Sequence, residues 1–215
     1  MFYGFPSDGL AFLGELASRN EKVWFDANKP RFEAQLVGPG KEFVRALLPR
    51  LQKIVPEIQG DPKVGGSIMR IHRDTRFSND KSPYKTHFDC WFWTGADKGW
   101  ESPGFFFRLT TATVMFGTGM HCFPKPMLEK YRRAVVADAA TLQRALAGLR
   151  VGGRNYKRVP PGYDGGDPDL LRHDGLTVDD ELPSVPYATT PALVEICTER
   201  FAAWAPVHRW LMRLV

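Results

Sequence analysis

The sequence predicts an α+β fold in which helices precede and follow a mainly antiparallel sheet of about four strands. Apolar side chains recur at helical spacing near both ends of the chain, whereas the middle third alternates apolar and polar residues, as strands do. The predicted strands follow one another without intervening helices. This order favours antiparallel pairing over a doubly wound parallel sheet.

Residues 1–58 are predicted to be helical. The first helix begins at Ser7, a candidate N-cap, and ends near Asn20. The second covers about 21–36. The sequence Gly38-Pro39-Gly40 predicts a break before a third helix, because glycine and proline commonly interrupt helices.

The sheet is predicted within residues 65–122. Its four strands cover residues 67–74, 86–94, 104–110 and 113–121. In the first of them, Arg70, His72 and Asp74 share one face. Residues 95–103 are expected to form a hairpin connection.

Helices and one long loop are predicted over residues 123–215. A helix begins at Pro124, a second segment starts near Asp138, and the last helix begins at about Pro191. Residues 150–190 are rich in glycine, proline and aspartate and are expected to form a long loop. The 215 residues, 43% of them hydrophobic, suffice for one core, so residues 1–215 are predicted to be a single domain.

Composition excludes several classes of protein. The 29 basic and 24 acidic residues give a net charge of +5, which permits anionic partners but is small for a dedicated nucleic-acid binder. Three distant cysteines without a C-x-x-C pair argue against a disulfide framework and a zinc ribbon, and predict buried thiols. No signal-like N-terminus and no run of about 18 apolar residues occurs, so a soluble cytoplasmic protein with no membrane partner is expected.

Residues 70–87, which we call the charged segment, are the strongest functional signal. Their five permanent cations are Arg70, Arg73, Arg76, Lys81 and Lys85. Guanidinium groups match phosphate and carboxylate oxygens, and crowded like charges repel one another unless an anion lies between them. The segment therefore predicts a basic pocket for a small anionic ligand, with these five side chains as its contacts.

The sequence leaves open whether the protein is an enzyme. The candidate proton carriers are His72, Asp74 and His87, in a hydrolase or transferase. His87 shares a predicted strand face with Asp89, which would orient it as a base. No cofactor is identified. Three histidines on successive predicted strands lack the close spacing of metal ligands, so no metal site is predicted.

Three expectations concern the loop within the charged segment. Arg76 and Lys81 are expected to project into a shared concavity. Phe77 is expected to anchor the loop in the core. Asp74 and Asp80 are expected to pair with arginines and to bind no metal, because the surrounding positive charge opposes a dication.

Two other functions stay open. One is a nucleic-acid-binding module in which the cations contact successive phosphates and Trp91, Trp93 and Trp100 stack on bases. The other is a structural salt-bridge network that serves a protein partner. A convergent pocket favours the small anion, an open basic strip favours nucleic acid, and complete internal pairing of the arginines favours the structural role.

Residues 73–86 read RDTRFSNDKSPYKT. They resemble the R-D-x-R-F-S-x-D-K-x-P-Y-K-T hallmark of a widespread bacterial and fungal family of uncharacterised proteins, a domain of unknown function. Residues 20–29 and 156–171 also resemble that family, which supports a single domain across nearly the whole chain. In the family pattern a histidine commonly precedes the proline matched by Pro168, and a lysine lies near position 173, whereas this chain has Asp167 and His173. The resemblance implies no particular activity, because none is established for the family.

Overall fold

Among the residues that the structure describes, the sheet has five antiparallel strands, and the α+β prediction is confirmed. The computed structural model describes residues 1–95 and 102–215. The strands are β1 (Phe88–Trp93), β2 (Gly104–Leu109), β3 (Thr113–Met120), β4 (Val151–Gly152) and β5 (Leu176–Pro183). Their order across the sheet is β1-β2-β3-β5-β4. The predicted connection between β1 and β2 lies largely outside the described residues.

Three of the predicted strands are found as β1, β2 and β3, but residues 67–74 do not form a regular strand. This stretch runs beside β1 and makes isolated bridges, such as those of Ile68 with Cys90 and of His72 with Tyr84. The Arg73 N–H donates to the carbonyl of Pro83 at 2.9 Å. Proline has no N–H to return, so a continuous ladder cannot form there.

The prediction of a long loop over residues 150–190 is wrong, because β4 and β5 lie within it. β5 pairs with β3 along its whole length. Gly119 of β3 has φ +130°, and a Cβ there would lie 2.1 Å from the carbonyl oxygen of Leu176, so this close approach requires glycine. The alternation of apolar and polar residues in β5 is short and is surrounded by turn-forming residues.

Helices account for most of the remaining chain. They are α1 (Ser7–Ser18), α2 (Lys22–Phe32), α3 (Gly38–Ile54), α4 (Lys125–Leu146), α5 (Pro168–Leu171), α6 (Ser184–Tyr187) and α7 (Ala192–Met212). Ser7 is the first residue of α1, and Pro6 occupies the N-cap position. In α4, non-helical backbone at Asp138 divides two helical parts, as predicted. The carboxylate of Asp138 accepts a hydrogen bond from the Thr141 N–H at 3.1 Å and so caps the second part.

The predicted break at residues 38–40 is also wrong. A π-helical turn, Glu33–Val37, leads directly from α2 into α3. Pro39 follows this turn, where the regular hydrogen-bond ladder is already interrupted, so its missing N–H is tolerated.

The helices pack on one face of the sheet. The Phe107 ring of β2 lies 4.6 Å from that of Phe43 in α3, and the Phe105 ring lies 4.8 Å from that of Phe201 in α7. Side chains alternate along a strand, so the cross-strand partners Asp89 and Arg108 point to the opposite face. We call this the polar face.

The cysteines only partly follow the sequence prediction. Cys90 and Cys197 are buried free thiols, and burial raises the pKa of both. Cys122 is a free thiol as well, but it is exposed, contrary to the expectation. Among the residues that the structure describes, no helix is both long enough and apolar enough to cross a bilayer.

Candidate functional site

Arg73 stabilises the loop of the charged segment through hydrogen bonds to other residues of that loop. Its guanidinium donates to the carboxylate of Asp80, to the Ser82 carbonyl at 3.3 Å and to the Ser78 hydroxyl at 3.4 Å. Hydrogen bonds from Ser82, and then from Arg73, lower the pKa of Asp80 to about 2. The expected pairing of Asp80 with an arginine is therefore present, and Arg73 is engaged within the loop.

Arg76 and Lys81 are both exposed, and each has a partner within the loop. Arg76 donates to Asp74, with a shortest distance of 2.6 Å, and its side chain is 76% exposed. Its hydrogen bonds lower the pKa of Asp74 to about 2. Lys81 is exposed and donates to the Thr75 carbonyl at 3.0 Å. Both cations thus have partners inside the loop, and the shared concavity that the sequence predicts for them stays a prediction.

Tyr84, and not Phe77, anchors the charged segment. Phe77 is 95% exposed, so its prediction as the hydrophobic anchor is wrong. Tyr84 is 3% exposed and stacks on Phe25 with 4.2 Å between ring centroids. The Asn20 side chain donates to the Tyr84 carbonyl at 2.9 Å and accepts from the Tyr84 N–H at 3.0 Å. Asn20 follows α1, so this anchor depends on a contact across 64 residues that local sequence does not reveal.

A cluster of charged side chains surrounds Asp89 on the polar face. We call Lys85, His87, Asp89 and Arg108 the Asp89 cluster. Arg108 donates to Asp89 from Nε at 2.7 Å and from Nη2 at 3.2 Å. His87 Nε2 lies 3.2 Å and Lys85 Nζ lies 3.7 Å from Asp89 Oδ2. Three basic side chains therefore converge on one carboxylate whose side chain is only 7% exposed.

The chain path explains this convergence. Asp89 and Arg108 are direct partners in the register of β1 and β2, so their side chains meet on the same face. The Lys85 N–H donates to the Ile71 carbonyl at 2.8 Å, which holds the chain before β1 in place. A bend at residues 86 and 87 then lets the long Lys85 side chain reach back toward Asp89.

Asp89 stays ionised within this cluster. Burial acts to raise its pKa, but hydrogen bonds from His87 and Arg108 outweigh burial and lower the pKa to about 2. A fixed carboxylate at 3.2 Å from an imidazole also orients the ring, an arrangement that general bases use. The geometry therefore allows both the binding of an anion and the transfer of a proton.

The other predicted site residues lie apart from these contacts. Arg70 is exposed and has no hydrogen-bond or ion-pair partner among the described residues. The His72 ring lies 5.1 Å from that of Tyr84, and Asp74 is engaged by Arg76. Of the eight predicted site residues, Lys85 and His87 belong to the Asp89 cluster. Sequence reasoning missed Arg108, because the register that brings it to Asp89 is not visible in the sequence.

The tryptophans of β1 do not offer stacking surfaces. Trp91 and Trp93 are each 3% exposed, so neither ring is available to a nucleic-acid base in this conformation. The third tryptophan of that hypothesis, Trp100, lies outside the described residues. Within the described ranges, no group of three or more histidine, cysteine, aspartate or glutamate side chains has the geometry to hold a metal ion.

Comparisons with known proteins assign a family without an activity. No curated protein matches the chain. The profile of one family, described as "Conserved hypothetical protein (DUF2461)", matches residues 8–210. Because that match covers nearly all of the sequence, the chain belongs to this family.

Proposed function

We propose that the protein binds a small anion, bearing phosphate or carboxylate, at the Asp89 cluster. The observation that carries this proposal is the excess of donors around the one carboxylate. Arg108 uses Nε and Nη2 on Asp89, and its Nη1 has no hydrogen-bond partner among the described residues. Lys85 Nζ lies 3.7 Å from Asp89 Oδ2, which is beyond hydrogen-bond distance. Its N–H groups are therefore available to a ligand.

Charge balance also supports an anion at this place. Lys85 and Arg108 bring two positive charges and Asp89 brings one negative charge, so the cluster carries an excess of +1 before His87 is counted. The side chains of Lys85, His87 and Arg108 are 23%, 24% and 40% exposed, so a ligand in solvent can reach them. In this proposal Arg73 and Arg76 shape the loop, and the ligand contacts move from the loop to the polar face.

The pairing of His87 with Asp89 favours a second function at the same place, an acid–base enzyme. Asp89 would fix the His87 ring, and His87 would carry the proton in a hydrolysis or group transfer on the bound anion. Substitution of His87 by glutamine would then abolish turnover while leaving anion binding largely intact. If His87→Gln instead abolishes binding, His87 is a ligand contact.

The binding proposal is tested by NMR on protein labelled with ¹⁵N-arginine, titrated with inorganic phosphate at constant ionic strength. Arg108 Nε donates to a buried carboxylate, so its N–H should exchange slowly and give a resolved signal, which the variant Arg108→Gln assigns. We expect that signal to shift and to saturate. The Nε–H of Arg31, which is hydrogen bonded to Asp8 at 2.9 Å, serves as the matched control and should not move.

The controls separate a specific site from general ionic effects. Arg76→Gln removes an exposed cation from the loop and should leave the Arg108 titration unchanged. If Arg108 does not respond to phosphate, or responds no more than Arg31 does, the Asp89 cluster is not an anion site. A response that disappears in Arg76→Gln would return the site to the loop.

A further inference from the structure

A second unusual cation lies in α4, far in sequence from the charged segment. Arg132 is 9% exposed. Its guanidinium carbon lies 5.5 Å from the ring centroid of Tyr156 and 5.5 Å from that of Tyr163. Both tyrosines come from the segment between β4 and α5. We call their two rings, which contact the guanidinium group of α4, the clamp.

No carboxylate neutralises Arg132 among the described residues. Within the described part of the chain, its Nε is fully enclosed without a hydrogen-bond partner, and Nη1 and Nη2 have none either, although neither is fully enclosed. The carboxylate of Asp167 is engaged elsewhere, because it accepts from the N–H groups of Asp169 at 2.8 Å and Leu170 at 3.1 Å and from the side chain of Gln143. A buried charge without a counter-ion is costly, and the aromatic rings recover only part of that cost.

The clamp is held in place independently of Arg132. The Tyr156 N–H donates to the Arg172 carbonyl at 2.7 Å, and the hydroxyl of Tyr131, the residue before Arg132, donates to the Leu170 carbonyl at 3.0 Å. Tyr163 packs against the hydrophobic core. The guanidinium group is therefore preorganised, with its open edge formed by Nη1 and Nη2.

We propose that Arg132, clamped by Tyr156 and Tyr163, is a second binding site, and that its ligand is the phosphate or carboxylate group of a small molecule. Two terminal N–H edges of a fixed guanidinium match such an oxyanion in a bidentate manner. The exposed Lys157 and Arg158, which follow Tyr156 directly in the chain, add positive charge that attracts the same ligands. This proposal does not depend on the Asp89 cluster.

The test uses the same ¹⁵N-arginine titration with inorganic phosphate and follows a different signal. The enclosed Nε–H of Arg132 should exchange slowly and be visible, and the variant Arg132→Leu assigns it. We expect this signal to shift with phosphate and to saturate, and the shift to disappear in Tyr156→Ala. Signals of Arg108 and Arg132 are read separately, so failure of one site does not imply failure of the other.

Thermal unfolding separates a binding role from a structural one. Because Arg132 has no hydrogen-bond or ion-pair partner among the described residues, and leucine can still pack against the two tyrosine rings, Arg132→Leu should melt no lower than the wild type in phosphate-free buffer. Its melting temperature should rise less on addition of phosphate. The neighbouring exposed residue supplies the control, Arg133→Leu, which should keep the full rise. An Arg132 signal that phosphate does not shift overturns the proposal. So does an Arg132→Leu variant that melts well below the wild type and keeps the full rise, because Arg132 would then be a structural residue.

Discussion

The anchoring of the charged segment gives a direct prediction about two aromatic residues seven positions apart. Tyr84→Ala should strongly lower the free energy of unfolding, whereas Phe77→Ala should change it by less than about 0.5 kcal/mol. The reason is their opposite burial, since Tyr84 is 3% exposed and Phe77 is 95% exposed.

The expected loss for Tyr84→Ala follows from its packing. A buried aromatic side chain removes roughly 150–250 Å² from water, which corresponds to about 4–6 kcal/mol. The unfolded chain already buries part of this area, and alanine keeps its Cβ, so the measured loss should be about 3–4 kcal/mol. The loss includes the stacking of Tyr84 on Phe25, at 4.2 Å between ring centroids.

Urea unfolding followed by tryptophan fluorescence measures both variants against the wild type. The dependence of the unfolding free energy on urea should stay constant, so that the midpoints report stability directly. A loss below about 1 kcal/mol for Tyr84→Ala, or a loss above about 1 kcal/mol for Phe77→Ala, would refute the assignment of the anchor.

Three further predictions concern stability. Asn20→Ala removes both hydrogen bonds to the Tyr84 backbone and should cost roughly 1–3 kcal/mol in urea unfolding, more than Asn28→Ala, which removes one bond within α2. Burial, and then the charge of Arg209, lower the pKa of His208 from 6.5 to about 4. The unfolded state therefore binds the proton more tightly, and about 3 kcal/mol of stability should be lost as the pH falls from 6.5 to 4. His208→Leu should lack this loss in thermal melts over that pH range, and an unchanged loss would point to another group. Arg108→Gln should cost about 2 kcal/mol, because Asp89 stays buried with fewer partners, and a variant as stable as the wild type would show that Lys85 and His87 suffice.

The sequence predicted the helices best, because α1, α3, α4 and α7 carry long apolar periodicities. Asp138 also divided α4 as expected, since a short polar side chain can cap the part that follows it. The prediction of a break at Gly38-Pro39-Gly40 was wrong because a π-helical turn accommodates the proline. Composition does not show such a local rearrangement.

The sequence predicted the residues of the candidate site only in part. The charged segment does supply Lys85 and His87, and the sequence had paired His87 with Asp89. The contact of Arg108 with Asp89 depends on the register between β1 and β2. The contact of Arg132 with its two tyrosines depends on packing between α4 and a segment that was expected to be a loop. Such long-range contacts follow from the folded structure and not from local patterns.

The proposed binding of an anion at the Asp89 cluster can be observed directly. The most direct measurement is a crystal structure of the protein grown with selenate, an oxyanion with the shape of sulfate, and an anomalous difference map calculated at the selenium edge. We predict a peak within hydrogen-bond distance of Arg108 Nη1 and Lys85 Nζ. A map with no peak at these atoms, and with selenate bound instead at Arg76 in the loop, would show that the Asp89 cluster is not the anion site.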